Sequence, residues 1–324
     1  MNITRPPRLR VERPMSSATV TAPTPRLIRG YLAVLVGMHL LALTALLPYC
    51  WTWWAIPILL VGNFVFGSIG INLGYHRLLT HKSVEMPKWL EHLCVHLGVC
   101  SLEGLPIPWV TTHRIHHQHS DLDGDPHSPV ENFGWGHMGW IVHEDTRMKR
   151  ADTFERYVPD LVTDRWLKRL HKKNRWAKVY AAHVAMILAA SFLLGAAVTQ
   201  DLEGAVRFTV LGLVWGVFVR TVYVWHITWL VNSAGHRFGY RNYATKDEST
   251  NCWWVAVLTN GEGWHNNHHA APRAASHGHR WWEIDLTYSF VRTLERVGLA
   301  KNVVPVRVAS YKAKPQPADP VATA

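Results

Sequence analysis

Two consecutive apolar stretches decide the fold: YLAVLVGMHLLALTALL at residues 31–47 and WTWWAIPILLVGNFVFGSIGINL at residues 51–73. They are about 17 and 23 residues long, and a helix needs about 20 apolar residues to cross a bilayer. Pro48 separates them, and Trp51, Trp53 and Trp54 beside it suit a membrane–water interface. A helix that is apolar on every face lies either in a large core or in a membrane. The length and the interfacial aromatics predict a transmembrane hairpin.

Two further apolar runs, at 176–198 and 205–231, are separated by a short acidic segment with Asp201 and Glu203. Neither short connection, at 48–50 or 199–204, contains Lys or Arg. The positive-inside rule therefore predicts that the remaining segments share the cytosolic side. Arg220 lies well inside the last run, where a cation needs a partner in the protein interior.

We thus expect an all-α integral membrane protein with four transmembrane helices and a cytosolic helical cap from about residue 75 to 175 and after 231. Residues 1–26 are rich in Pro and Arg and predict a disordered basic arm, and residues 301–324 predict a disordered tail. The folded domain is expected at 27–300. The N-terminus, the cap and the C-terminus would all be cytosolic.

Composition excludes several other classes. The chain has 324 residues and a net charge of +11, but its basic residues flank the apolar runs and form no aromatic-interleaved patch, which argues against nucleic acid. Its four cysteines form no CxxC pair, so neither a disulfide framework nor a thiolate zinc site is indicated. The 21 histidines instead point to metal binding.

Eight of these histidines form three clusters: His76-x4-His81, His113-x2-His116-His117 and His265-x2-His268-His269. Residues at i, i+3 and i+4 share one face of an α-helix, so the second and third clusters each present three imidazoles together. His76 and His81 would diverge by about 140° on an ideal α-helix and need a distortion to converge. Eight imidazoles exceed what one zinc ion needs and favour two metals that prefer nitrogen ligands, namely Fe, Zn, Cu or Ni.

These three motifs resemble the histidine boxes of membrane fatty acyl desaturases. The segment Thr228–His236 (TWLVNSAGH) is similar to the one that supplies a further histidine in the Δ9 branch, which contains stearoyl-CoA desaturases and bacterial and plastid acyl-lipid Δ9 desaturases. The resemblance covers about residues 27–300. One departure is Asn72, in a stretch where relatives often carry Thr, so this part of an acyl tunnel is not fixed by the resemblance.

The resemblance implies a di-iron site. One iron would be bound by His76, His81, His117 and His269, with Asn232 acting through a water. The other would be bound by His113, His116, His236, His265 and His268. Asp121, Asp125 and Glu262 match acidic positions of the pattern, and such carboxylates orient ligating imidazoles by accepting their second N–H.

The implied activity is O2-dependent introduction of a cis double bond, at Δ9, into a saturated acyl chain carried on CoA or on a membrane lipid. The chain shows no iron–sulfur or haem motif, and its one GxGxxG, at 134–139, lacks a βαβ context, so an external ferredoxin-type or cytochrome b5-type donor with its reductase is implied. Two alternatives remain open: a di-iron membrane hydroxylase or alkane monooxygenase, and a histidine-rich metal transporter. The transporter would want its ligands inside the spans, and here the clusters lie outside them.

Overall fold

A computed structural model describes residues 25–130 and 132–308. Over these ranges the chain forms helices and no β-strand, and extended segments meet only at isolated bridges. The predicted N-terminal arm lies almost entirely outside the described residues. The folded part extends beyond the expected boundary at residue 300, because Lys301 pairs with Glu85 and the Val304 N–H donates to the Ser83 carbonyl at 2.9 Å.

The helices follow one another in chain order. The α-helices are α1 (Arg29–Ala42), α2 (Ala55–Gly62), α3 (Lys88–Val99), α4 (Pro106–His119), α5 (Trp140–Val142), α6 (Ala151–Tyr157), α7 (Pro159–Val162), α8 (Arg165–His171), α9 (Arg175–Thr199), α10 (Leu202–Leu211), α11 (Arg220–Ser233), α12 (Trp253–Leu258), α13 (His265–Ala270) and α14 (Leu286–Arg296). π-Helical turns form Asn63–Thr80, Trp135–Gly139 and Gly212–Val219, and 3₁₀ turns form Leu43–Leu46, Pro48–Cys50, Thr146–Lys149, Lys172–Asn174 and Ala234–His236.

Four continuous helical segments are long and apolar enough to cross a membrane: Arg29–Leu46, Ala55–Thr80, Arg165–Thr199 and Leu202–His236. They confirm the four apolar helices expected from the sequence. The last three extend beyond the predicted apolar runs by several residues. The second and fourth spans carry His76 and His236 in these extensions, so each of these two helices ends with a predicted metal ligand.

From Asn63 to Thr80 the second span is a π-helix. This geometry explains why His76 and His81, five residues apart, can lie on the same side. A π-helix bonds residues five apart, which places them on one face. The His81 N–H accordingly donates to the His76 carbonyl at 3.1 Å, and the two imidazole rings lie 4.7 Å apart in an edge-on arrangement. The divergence of an ideal α-helix does not occur here.

Glycines bring the second span against α3. A Cβ on Gly70 would lie 2.6 Å from the Gly98 nitrogen, and one on Gly74 would lie 2.9 Å from the Cys94 carbonyl. Only glycine permits this backbone approach. The contact extends into a buried core in which Tyr75 of the span packs on the cap, and it fixes the span's histidines relative to α3 and α4.

Arg220 finds its partners in the protein interior. Its side chain is fully buried and donates to the Cys100 carbonyl at 3.0 Å and the Gly216 carbonyl at 3.1 Å. It also contacts His183 Nε2 at 3.1 Å and lies 4.0 Å from the centre of the Phe66 ring. Carbonyl dipoles and an aromatic face thus stabilise this cation within the spans.

Candidate metal centre

Four segments bring the nine predicted histidine ligands together at one end of the spans. The second span ends with His76 and His81, α4 carries three, the 3₁₀ turn after α11 carries His236, and α13 carries three. The side chains are buried or half-buried and form two neighbouring groups. The five-histidine group is His76, His81, His113, His117 and His268, and the four-histidine group is His116, His236, His265 and His269.

These groups collect the rings whose nitrogens lie nearest one another. The resemblance placed His113 and His268 with the second iron and His269 with the first, and that assignment stays a prediction. Helix geometry explains the two groups. On α4, His113 and His117 are one turn apart and enter one group together, while His116 turns toward the other. On α13, His265 and His269 stay together and the residue between them, His268, enters the five-histidine group.

The ring nitrogens converge within each group, where the candidate ligand atoms all lie within 4.8 Å of one another. In the five-histidine group, His268 Nε2 lies 3.2 Å from His76 Nε2 and 3.0 Å from His117 Nε2. In the four-histidine group, His265 Nε2 lies 3.0 Å from His236 Nε2 and 3.1 Å from His269 Nε2. The groups are adjacent, since the His117 and His269 rings stack at 4.6 Å.

Carboxylates hold the opposite nitrogen of four of these rings. The pairs are His76 Nδ1 with Glu262 at 2.7 Å, His116 Nδ1 with Asp125 at 3.0 Å, His236 Nδ1 with Asp121 at 2.7 Å and His269 Nδ1 with Asp247 at 2.8 Å. An ionised carboxylate only accepts hydrogen bonds, so each Nδ1 carries the proton. In the neutral ring the lone pair is then on Nε2, which faces the group.

These lone pairs fit a bound cation. In the four-histidine group, two such Nε2 atoms face the same His265 nitrogen, which can donate at most one proton. His116 Nε2 is buried without a hydrogen-bond partner among residues 25–130 and 132–308, and so is His81 Nε2 in the other group. Converging lone pairs repel one another unless a positive ion lies between them. An all-imidazole donor set with carboxylates behind it suits Fe, Zn, Cu or Ni better than Mg or Ca.

The protonation states are those that metal binding requires. Burial lowers the pKa of several imidazoles well below the ordinary value of 6.5, namely His81, His113, His117, His265 and His268. They are therefore neutral at pH 7. Burial by itself raises the pKa of Asp121, but the hydrogen bond and charge of His236, together with hydrogen bonds from the Glu248 N–H and the Ser128 hydroxyl, outweigh this effect and lower that pKa to about 2.

The structure also brings to the candidate site two residues that the sequence did not reveal. Asp247 holds His269 but lies in a charged loop that resembles solvated surface. His277 is buried, packs 4.5 Å from the His268 ring and shares Glu262 with His76. Neither residue belongs to a recognisable spacing, because contacts between distant segments alone bring them to the site.

Asn232 is half-buried one helical turn before His236. Its side chain makes no hydrogen bond to any other residue in the described ranges. The water-mediated contact with a metal therefore stays a prediction, consistent with the position of Asn232 on the turn that leads to His236.

The Asp247 contact gives a direct prediction. Asp247→Asn is expected to weaken metal binding by about 10- to 100-fold, because the His269 ring loses the charged acceptor that fixes its tautomer. Metal retention during titration with a chelator measures this. Glu248→Gln, which changes the exposed neighbour, is the matched control and should bind metal like the wild type. Equal affinities in both variants would contradict the role of Asp247.

The chain is similar to known proteins over most of its length. A model of the fatty acid desaturase family matches residues 51–301. The sn-1 stearoyl-lipid 9-desaturase of Anabaena variabilis is 44% identical over 268 residues, covering 83% of this chain and 90% of that protein. The sn-2 palmitoyl-lipid 9-desaturase of Nostoc sp. (strain 36) is 42% identical, covering 81% and 86%. The palmitoyl-monogalactosyldiacylglycerol delta-7 desaturase of Arabidopsis thaliana is 42% identical, covering 85% and 68%.

Proposed function

Since this chain belongs to the fatty acid desaturase family, we propose that it introduces a cis Δ9 double bond into a saturated acyl chain carried on a membrane glycerolipid, using two irons held by the nine histidines. The observation that carries the proposal is the convergence of imidazole nitrogens into two adjacent groups beside the spans. A glycerolipid is favoured over CoA because the similar proteins described above are named for lipid-linked substrates.

The overall reaction converts an acyl chain, O2, two electrons and two protons into the unsaturated chain and two water molecules. Bound irons would supply the O2-dependent oxidation of an unactivated methylene pair, which side-chain acids and bases cannot perform. The imidazole Nε2 atoms would hold the metals, and Glu262, Asp125, Asp121 and Asp247 orient the rings. Burial of His116, His265 and His268 to about 1% exposure or less keeps bulk water from the site.

Electrons would come from a separate protein donor of the ferredoxin or cytochrome b5 type. The segment from α8 to the start of α9 exposes a run of basic side chains at one end of the third span: Arg165, Lys168, Arg169, Lys172, Lys173 and Arg175. Such a patch attracts an acidic donor by charge. The same basic residues favour a cytosolic location for the cap and both termini, following the positive-inside rule.

The test is expression in a host that lacks its own desaturase, followed by mass spectrometry that locates the double bond and identifies the carrier lipid. We expect a cis Δ9 product on glycerolipid. A Δ7 product would correct the position, since a delta-7 desaturase is among the similar proteins. A hydroxylated fatty acid as the major product would overturn the desaturase assignment in favour of a hydroxylase.

A further inference from the structure

The segment between α13 and α14 has an inverted polarity. Its two carboxylates are buried: Glu283 accepts from Asn242 at 2.7 Å and Asp285 accepts from Arg77 at 3.0 Å. The residues exposed beside them are large and apolar, namely Trp281, Trp282, Ile284 and Leu286. A loop that faces water shows the opposite pattern, with charges outside and apolar groups inside. The exposed side chains of this loop are therefore suited to an apolar environment rather than to water.

Helix α12 adds to the same surface. All six of its residues are apolar, and Val255 and Ala256 face the core. Trp253 and Val257 lie one turn apart on its outer side and are exposed. The turn at Gly263 and Trp264 joins the loop to α12: the Trp264 indole N–H donates to the Ile284 carbonyl at 2.9 Å, and the Cys252 N–H at the start of α12 donates to the Gly263 carbonyl at 2.8 Å. We call the exposed set Trp253, Val257, Trp281, Trp282, Ile284 and Leu286 the tryptophan face.

Hydrogen bonds fix how deep α12 lies. The Asn63 side chain donates to the Leu258 carbonyl at 2.9 Å, and the Asn72 side chain donates to the Thr259 carbonyl at 2.8 Å. Both asparagines belong to the second span, so the end of α12 lies beside the middle of that span. The level corresponds to Ser68, whose hydroxyl accepts from the Asn260 side chain at 2.7 Å and which lies well before Thr80 at the end of the span. Backbone groups at membrane depth must be bonded inside the protein, as these carbonyls are.

We propose that the tryptophan face is embedded in the lipid bilayer, so that the cap is held in the membrane by this face in addition to the four spans. Its occupant is lipid: acyl chains contact Val257 and Ile284, and the indoles lie at the headgroup level. Arg280, whose guanidinium lies 5.2 Å from the Trp282 ring, is placed to reach lipid phosphates. The depth of α12 favours lipid over a second copy of the chain. The proposal does not depend on the proposed desaturation.

Single cysteines carrying an environment-sensitive fluorophore test the depth, using the full chain in vesicles of phosphatidylcholine and phosphatidylglycerol. The native cysteines, Cys50, Cys94, Cys100 and Cys252, are buried, and the unsubstituted protein serves as the labelling blank. The labelled positions are Val257→Cys and Ile284→Cys. The membrane reference is Val61→Cys in the second span. The matched control is Leu122→Cys, in a polar loop, because Leu122 and Ile284 are both 66% exposed.

We expect the labels at 257 and 284 to show blue-shifted emission and a loss of iodide quenching, like the label at 61, while iodide quenches the label at 122. Quenching at 257 and 284 equal to that at 122 would overturn the proposal. Protection that disappears on dilution of the protein in lipid would also overturn it, because a second copy would then cover the face. The readout needs no turnover, so it stays informative even if no desaturated product is found.

Discussion

His116→Ala is expected to abolish formation of the unsaturated product, with a loss of more than about 100-fold, since changing even an outer partner of a metal ligand lowers activity by 10- to 100-fold. His116 is fully buried, Asp125 holds its Nδ1, and its Nε2 has no partner within the described structure. Alanine removes one of the four nitrogens of the four-histidine group. We expect metal content to fall with activity, measured by elemental analysis of the purified variant.

His171→Ala is the control for this prediction. His171 lies at the end of α8, is half-buried and belongs to neither histidine group. Its variant should keep both metal content and product. Equal product from the His116 and His171 variants would remove the metal assignment of the four-histidine group. Protein yield in the membrane fraction separates loss of metal from loss of folding.

The spans and the histidine motifs could be predicted because both depend on local periodicity. A run of about 20 apolar residues indicates a membrane-spanning helix, and an i, i+3, i+4 pattern indicates one face of a helix. Neither inference depends on the tertiary structure. The three clusters therefore indicated a dimetal site, and the structure brings all nine histidines together. Which rings lie nearest one another depends on how α4 and α13 face each other, and the assignment of individual rings to each metal stays a prediction.

Other features depend on contacts that no local pattern encodes. The π-helical turn that aligns His76 and His81 requires the span to be widened over many residues, and spacing alone predicted divergence. Asp247 reaches the site from a loop whose sequence is typical of solvated surface. Glu283 and Asp285 belong to no sequence motif, and both are buried. In each case a tertiary hydrogen bond overrides the local propensity, so only the assembled structure shows the role.

Loss of the Arg77 side chain should strongly destabilise the fold. Its guanidinium is fully buried and joins three segments: it donates to the Ala275 carbonyl at 2.7 Å, to Glu262 at 2.8 Å and to Asp285 at 3.0 Å. Glu262 in turn holds His76, so the cation links the second span to the metal centre. Removing one partner of a buried ion pair leaves an uncompensated charge and costs about 3–5 kcal/mol.

Arg77→Met is therefore expected to lower the free energy of unfolding by about 3–5 kcal/mol, measured by denaturation of the purified protein in one fixed detergent. Arg292→Met, which changes an exposed arginine of α14 paired with Glu295, is the matched control and should change it by less than about 1 kcal/mol.

Burial raises the pKa of Glu262, but the charges of His277 and Arg77 outweigh it and hold that pKa well below 4.5.

Without Arg77 one of these opposing charges is lost, so the pKa of Glu262 rises and its protonated form becomes easier to bury. A raised pKa of Glu262 in the folded variant stabilises the folded state at low pH, where Glu262 is protonated. This stabilisation is lost as the pH rises through that pKa. The loss in free energy of unfolding caused by Arg77→Met, relative to the wild type, should therefore be smaller at pH 5 than at pH 8. The loss caused by Arg292→Met should not change with pH. A deficit independent of pH would show that Arg77 stabilises the fold through packing and its carbonyl contact rather than through the two carboxylates.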